Sequence, residues 1–440
     1  MQERSAGGFD SSSTAACVLE MESHELRVDH GFTVTISRYC TLEMGNQPNA
    51  GFDAEFRLLL ACARTPTDKA LVHKLASEVK SWADFLNYAQ WHDLVSITAY
   101  ALLSSSAPIP HLISERLLNT SRTSAQQQMA LIRELLRISE SLRAQSIRAI
   151  AYKGPTLAAT VYDSLGHRDF CDIDFIIAEN DINRVREVLL ALGYQTEYRL
   201  TPAEEKRYLR RASEWNFVHH TRQAAVEVHW RISPSPYFVL DFGRIWSRKS
   251  CFYICGARIE SLSPEDNLIV LSVHGFKHLW GQLKWISDVD AVVQSSDQLD
   301  WKYILSESAR LKTLRVLLCS LCLCSQLFGT VMPEHVRTEM NQDRVAASVA
   351  QQVLQRYPGH EMSPLRGQLL TFRGHTGVRA RAAYMMNILL NPTLEDAVWS
   401  ERSQHMLRVA RVAQIACKAI SWKWRVAENE SPNQVKGIHR

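Results

Sequence analysis

The apolar positions of this 440-residue chain change their period twice. Between residues 53 and 145 they recur at helical spacing. Phe56, Leu58, Leu59 and Leu60 cluster in a helix predicted over 53–63. Trp82, Phe85, Leu86, Ala89 and Leu94 fall three and four apart, along one face of a helix predicted over about 82–103. Pro108 and Pro110 then break the chain, and Leu131, Leu135, Leu136, Ile138 and Leu142 form the buried stripe of a long helix over about 124–145. At Ser146 the pattern shortens. Residues 147–152 and 171–178 read as strands, and 156–162 and 181–192 as helices, the second running from a cap at Asp181 to a stop at Gly193. Two more strands, 214–220 and 224–230, flank a polar turn at 221–223. The helical period returns at Ser263-Pro264-Glu265-Asp266, a start signal with a Ser cap, Pro at the first position and acids in the first turn. Helices are expected to about residue 426, before a polar tail over 428–440.

This order predicts an α+β protein: a small mixed-sheet core at 146–262, a helical region before it at 51–145 and a helical domain after it at 263–440. Residues 1–50, Ser/Thr/Gly-rich and without steady period, read as a mostly disordered leader. No internal repeat is visible.

Composition narrows the function classes. The chain is 46% hydrophobic and 22% charged, as a globular protein with a sizeable core should be. A net charge of +4 lacks the basic stripe of an extended nucleic-acid surface, so long nucleic acid is not an expected partner. The first residues hold no apolar secretion segment, and the most apolar run, 316–328, is too short to span a bilayer. No membrane association is expected, and the ten scattered cysteines suit reduced thiols in the cytoplasm. Cys319, Cys322 and Cys324 sit among leucines with no second ligand pair and read as core rather than as a metal knuckle.

The chemistry centres on Arg168-Asp169-Phe170-Cys171-Asp172-Ile173-Asp174-Phe175. Side chains alternate faces along a strand, so Asp172 and Asp174 point one way while Ile173 and Phe175 point into the core. Adjacent carboxylates repel unless a cation lies between them, and Mg²⁺ takes one or two carboxylates together with substrate phosphates. Glu227, in Val226-Glu227-Val228-His229-Trp230, is a third acid on an apolar strand. It completes a metal site if its strand lies beside that of Asp172. An Asp-x-Asp alone is as well read as a solvated strand edge; the Glu227 strand and the upstream turn Tyr152-Lys153-Gly154-Pro155-Thr156 favour the metal site. In that turn Gly154 would let the backbone approach a phosphate and Lys153 would add a charge, although a Lys-Gly pair by itself is a weak signal.

With Lys153-Gly154, Tyr162, Arg168, Asp172-Ile173-Asp174, Leu189 and Gly193-Tyr194, the chain resembles the uncharacterised bacterial nucleotidyltransferase family of the polymerase-β-like superfamily. Glu227-Val228-His229-Trp230 resembles that family's acid-x-His-Trp strand, and the stretch with His274, Lys277, His278, Trp280, Trp285 and Asp288 resembles its downstream segment. The similarity spans about 53–310. It implies a mixed sheet with helices on one face and two Mg²⁺ ions, or Mn²⁺ in their place, held by Asp172, Asp174 and Glu227. Glu227 would also help deprotonate the acceptor hydroxyl, and Gly154 would contact the triphosphate. The implied activity is transfer of a nucleoside monophosphate from an NTP such as ATP to an acceptor, a small molecule or a protein side chain.

One departure weakens the phosphate grip: the superfamily's Gly-Gly or Gly-Ser pair is replaced by Lys153-Gly154-Pro155-Thr156, and Pro155 has no N–H. Thr156 offers a hydroxyl instead. A nucleotide- or protein-binding module without turnover is the alternative this departure favours. Arg168 is read either as a triphosphate clamp or as the ion-pair partner of Asp169 or Asp163. His229 shares a face with Glu227 and either orients it or is a satisfied structural histidine. His274 and His278, four apart on a helix, are candidates to line the nucleotide cleft rather than to bind zinc. Asp288 is favoured over Asp290 for the site.

Overall fold

The computed structural model describes residues 51–390, apart from 163, 198–199, 234–237, 239–240, 297 and 360–361. The expected leader at 1–50 and the helices expected beyond 390 lie outside the described residues.

Seven strands form one mixed sheet. They are β1 Ala149–Tyr152, β2 Asp172–Ile177, β3 Gln195–Thr196, β4 Glu214–His219, β5 Ala224–His229, β6 Ser250–Ile254 and β7 Ala257–Ser261. Their spatial order is β3-β4-β5-β2-β1-β7-β6. β2 runs parallel to β5 and antiparallel to β1, and β7 joins β1 in parallel. Helices precede and follow this sheet, so the fold is α+β as the periodicities predicted.

The two faces of the sheet bury different things. Ile173, Phe175, Ile177, Val226 and Val228 pack with Leu131, Leu135, Ile138 and Leu142 of the long helix His111–Ala144, and with Val185 and Leu189 of Ile182–Ala191. Ile150, Tyr152 and Ile176, which alternate with them, join a second core with the helices of 54–104 and 264–374. Asp174, Glu227 and His229 share this second face by the same alternation. The charged groups are therefore held at the seam between sheet and helices.

Several boundaries differ from the periodic reading. The helix expected over 82–103 is two, Trp82–Trp91 and Val95–Ser104, broken where Asp93 adopts φ 54°. The helix expected from 124 begins at His111 and runs for 34 residues. Its first half is mainly polar, with Leu117 buried, so the apolar stripe starts late. The helix Pro202–Arg211 was legible in the capping box that Thr201 and Glu204 form, but no apolar stripe marked it. The β6–β7 hairpin was missed because its turn at 255–256 lies between short, half-exposed strands. At Ser263 the outcome matches: its side chain caps Asp266 N and Pro264 opens the helix Pro264–Lys277.

Candidate active site

β2 and β5 pair so that Asp174 stands opposite Glu227 and Ile176 opposite His229, and β1 places Tyr152 opposite Asp174. Ligand atoms of Asp174, Glu227 and His229 all lie within 4.8 Å of one another, the one such group of three among the described residues. Asp172 stands two residues earlier on the same face, half-buried, at the start of β2. The sequence reading placed three acids here. The structure adds His229 to the tight group and leaves Asp172 at its margin.

Two basic side chains hold the acids. Lys153 Nζ lies 2.6 Å from Asp174 Oδ1 and 3.8 Å from Glu227 Oε2. His229 Nε2 donates to Asp174 Oδ1 at 3.1 Å and to Glu227 Oε2 at 3.2 Å. On its other side, Nδ1 lies 3.2 Å from Glu214 Oε2, close enough for an ion pair but off the line of a hydrogen bond. Lys277, from the Pro264–Lys277 helix, reaches both Glu214 oxygens at 3.2 and 3.3 Å. Glu214 was not singled out from sequence; its position opposite His229 in the β4–β5 register is the signal that finds it.

Burial and charge then set the protonation states. Burial alone would lower the His229 pKa, but Asp174, Glu214 and Glu227 outweigh it and raise the imidazole to about 10. Burial also opposes the charge on Lys153, and Asp174, Tyr152 and Glu227 overcome it, holding the ammonium well above its ordinary value. Glu227 is held below the usual carboxylate range because His229 and Lys153 outweigh its burial. Asp172 moves the other way, pushed up by burial and by the charges of Asp174 and Glu227.

The turn after β1 aims Lys153 into this group. Lys153 has φ 52° and ψ −149°, a backbone state that ordinarily costs about 1–3 kcal/mol outside glycine. Gly154 follows at φ 29°, and a Cβ there would come 3.1 Å from the Asp172 carbonyl oxygen. Thr156 is buried, and its hydroxyl has no partner among the described residues.

The remaining candidates separate. Arg168 is buried and makes a two-pronged pair with Asp288, Nε to Oδ1 at 2.7 Å and Nη2 to Oδ2 at 2.8 Å. Tyr162 donates to the same carboxylate at 2.8 Å. The expected partner Asp169 instead accepts from Ser96, Ser124 and Gln128, tying the two preceding helices to the β2 entry. Asp163, the other expected partner, lies outside the described residues. His274 and His278 pack edge to face at 5.1 Å, and His278 stacks on Trp285 at 4.8 Å. They form no three-ligand group with an acid or cysteine among the described residues. Burial and the charge of Lys153 hold the His274 imidazole well below its ordinary pKa, so the ring is neutral. Asp290 accepts from the Thr330 hydroxyl. Trp280 and the three clustered cysteines are core.

The sequence pattern of a family described as uncharacterised nucleotidyltransferase matches residues 78–329, more than half of the chain. The chain belongs to that family. The match runs from the helix of Trp82 through the sheet to the helix ending at Phe328, so the acid-bearing strands and the helices that follow them fall within the family's pattern. No curated protein matches the chain. Among the described residues no helix is long and apolar enough to cross a membrane.

Proposed function

We propose that this nucleotidyltransferase moves a nucleoside monophosphate from an NTP to an acceptor hydroxyl, releasing pyrophosphate, with a divalent cation at Asp174 and Glu227. The observation that carries the reading is the β2–β5 register, which sets the two carboxylates side by side; Asp174 Oδ2 is buried there without a hydrogen-bond partner among the described residues. A buried lone carboxylate oxygen is costly unless a cation or donor meets it. The donor set fits: Asp174, Glu227 and Asp172 offer carboxylate oxygens suited to Mg²⁺ or Mn²⁺, while His229, charged and donating to the first two, holds them in place.

The chain's own groups divide the work. Asp174 and Glu227 fix the cation position, and Asp172 extends it toward the incoming phosphates. Lys153 precedes the helix Gly154–Thr160, and the Thr156 hydroxyl, unpartnered among the described residues, lies in that helix's first turn, where the triphosphate would arrive. Glu227 orients the acceptor hydroxyl. Its depressed pKa makes it a weak base by itself. When bound, the cation would supply the missing acidity and neutralise charge on the phosphates. The hydroxyl gives its proton to Glu227 as its oxygen bonds to the α-phosphorus, the bond from that phosphorus to the α–β bridging oxygen breaks, and pyrophosphate leaves with the electron pair. His229 and Glu214 keep Glu227 in place. His274 and His278 border the approach from the helical side.

The acceptor is a small molecule or a protein side chain, in keeping with the low net charge, and the setting is cytoplasmic, in keeping with the free cysteines. The alternative, a nucleotide- or protein-binding module without turnover, draws on the Lys153–Asp174 pair, which neutralises the acids without metal. Pyrophosphate release with each NTP and Mg²⁺ or Mn²⁺ separates the two. Metal-dependent release that disappears in Asp174→Asn supports transfer. Nucleotide binding with no release under any condition supports the module.

A further inference from the structure

The cation position between Asp174 and Glu227 already holds a positive charge. Lys153 Nζ is within hydrogen-bond distance of Asp174 Oδ1, 2.6 Å, and faces Glu227 Oε2 at 3.8 Å. A Mg²⁺ ion sits about 2.0–2.1 Å from its carboxylate oxygens. An ion shared by these two acids would therefore press against the ammonium, and two cations at that range in a buried site repel strongly. We propose that Lys153 shares the two acids with the His229 imidazolium as a resident counter-cation, and that a divalent ion reaches Asp174 and Glu227 only when the Lys153 ammonium gives way. The inference rests on the reading of those two acids as cation ligands.

Three further observations support the exchange. The side chains of Lys153 and Asp174 are only 9% and 1% exposed, so bulk water cannot screen a second cation there. The Lys153 backbone is held in an unfavourable conformation that directs the side chain onto the acids, as expected of a lysine placed for a task rather than by default. Asp174 keeps one oxygen free: Lys153 and His229 both address Oδ1, while Oδ2 has no hydrogen-bond partner among the described residues. The displaced ammonium then has a natural destination, because Lys153 lies on the turn before Thr156, where triphosphate oxygens would sit. Metal and nucleotide would thus bind together, each relieving a charge the other creates, and metal alone would bind weakly.

The test uses the full chain and Mn²⁺ alone as the probe, with free Mn²⁺ read by electron paramagnetic resonance. Lys153→Met should bind Mn²⁺ at least tenfold more tightly than the wild type, and the gain should vanish in Lys153→Met/Asp174→Asn. Equal or weaker Mn²⁺ binding by folded Lys153→Met overturns the inference, as does a gain that survives Asp174→Asn. If Lys153→Met fails to fold, the wild type carries the test. Acetylation of Lys153 by acetic anhydride, read by mass spectrometry of its peptide, should rise several-fold with saturating Mn²⁺ alone, when no nucleotide is present to take up the ammonium. Unchanged acetylation overturns the inference. Pyrophosphate release is measured separately: tighter Mn²⁺ binding in Lys153→Met without turnover in the wild type would sustain the exchange and sink nucleotidyl transfer.

Discussion

Asp174 of β2 and Glu227 of β5 are register partners in a parallel pairing, and the imidazole of His229, one pleat further along β5, donates to both. A parallel neighbour keeps the two carboxylates at the same height on one face, so their separation follows from the strand spacing rather than from flexible loops. Sites built on such rigid elements hold their geometry better than sites on loops.

Replacing Asp174 by Asn keeps the size of the side chain and removes the charge that Lys153 and His229 share. Pyrophosphate release should fall at least about 10²-fold, the scale on which a single preorganised charge-stabilising group acts. Circular dichroism should remain that of the wild type. Undiminished release in a folded variant would remove Asp174 from the chemistry.

Arg168 and Asp288 are 120 residues apart in sequence and form a buried bidentate pair. Asp288→Ala leaves the guanidinium buried without its partner, which should cost about 3–5 kcal/mol in urea unfolding. A triphosphate clamp would behave differently: Arg168→Lys would raise KM for the NTP while stability stayed near wild type.

Gly154→Ala places a methyl group at φ 29°, 3.1 Å from the Asp172 carbonyl oxygen. The strain should lower stability by about 1–2 kcal/mol. It should also lower kcat, because the contact pushes on the first residue of β2. Steady-state kinetics and denaturant unfolding on the same preparation check both effects, and a variant with wild-type values would show that the turn adapts freely.

His92 ties the N-terminal helices to the C-terminal ones. Its Nδ1 accepts from Leu283 N at 3.1 Å, so the proton is on Nε2, which donates to the Pro358 carbonyl at 2.6 Å. Burial, with a smaller push from Arg356, lowers its pKa to about 4 from an ordinary 6.5, despite the Pro358 bond. The unfolded chain binds a proton between those limits that the folded chain does not. The stability His92 contributes is thus complete above about pH 6.5 and is lost as pH falls toward 4, by up to about 3 kcal/mol. Urea unfolding of wild type and His92→Gln across this window should show a steeper acid loss in the wild type. Parallel slopes would assign the acid sensitivity elsewhere.

Much of the site was legible because strand periodicity is local. Alternation alone put Asp172 and Asp174 on one face, and flanking valines marked Glu227 as a strand acid. The start of the helix at Ser263 was equally local, a cap, a proline and two acids. The breaks that went unread have the opposite character. Asp93 ends a helix although the apolar stripe runs through it, and its left-handed backbone is accompanied by an ion pair with Lys284 from a distant helix. The β6–β7 hairpin is short and half-exposed, so few apolar positions announce it.

By itself the chain's pattern determined the α+β class, the strand faces and the acids that share them, since these depend on the two-residue and 3.6-residue periods of neighbouring side chains. Only the tertiary structure decided which charges meet. It set Lys153 on Asp174 rather than on a waiting phosphate position, joined Arg168 to Asp288 instead of to its neighbour Asp169, and linked His229 through Glu214 to Lys277. Ion pairs form between groups that packing brings together and desolvates, and sequence spacing carries no record of that distance.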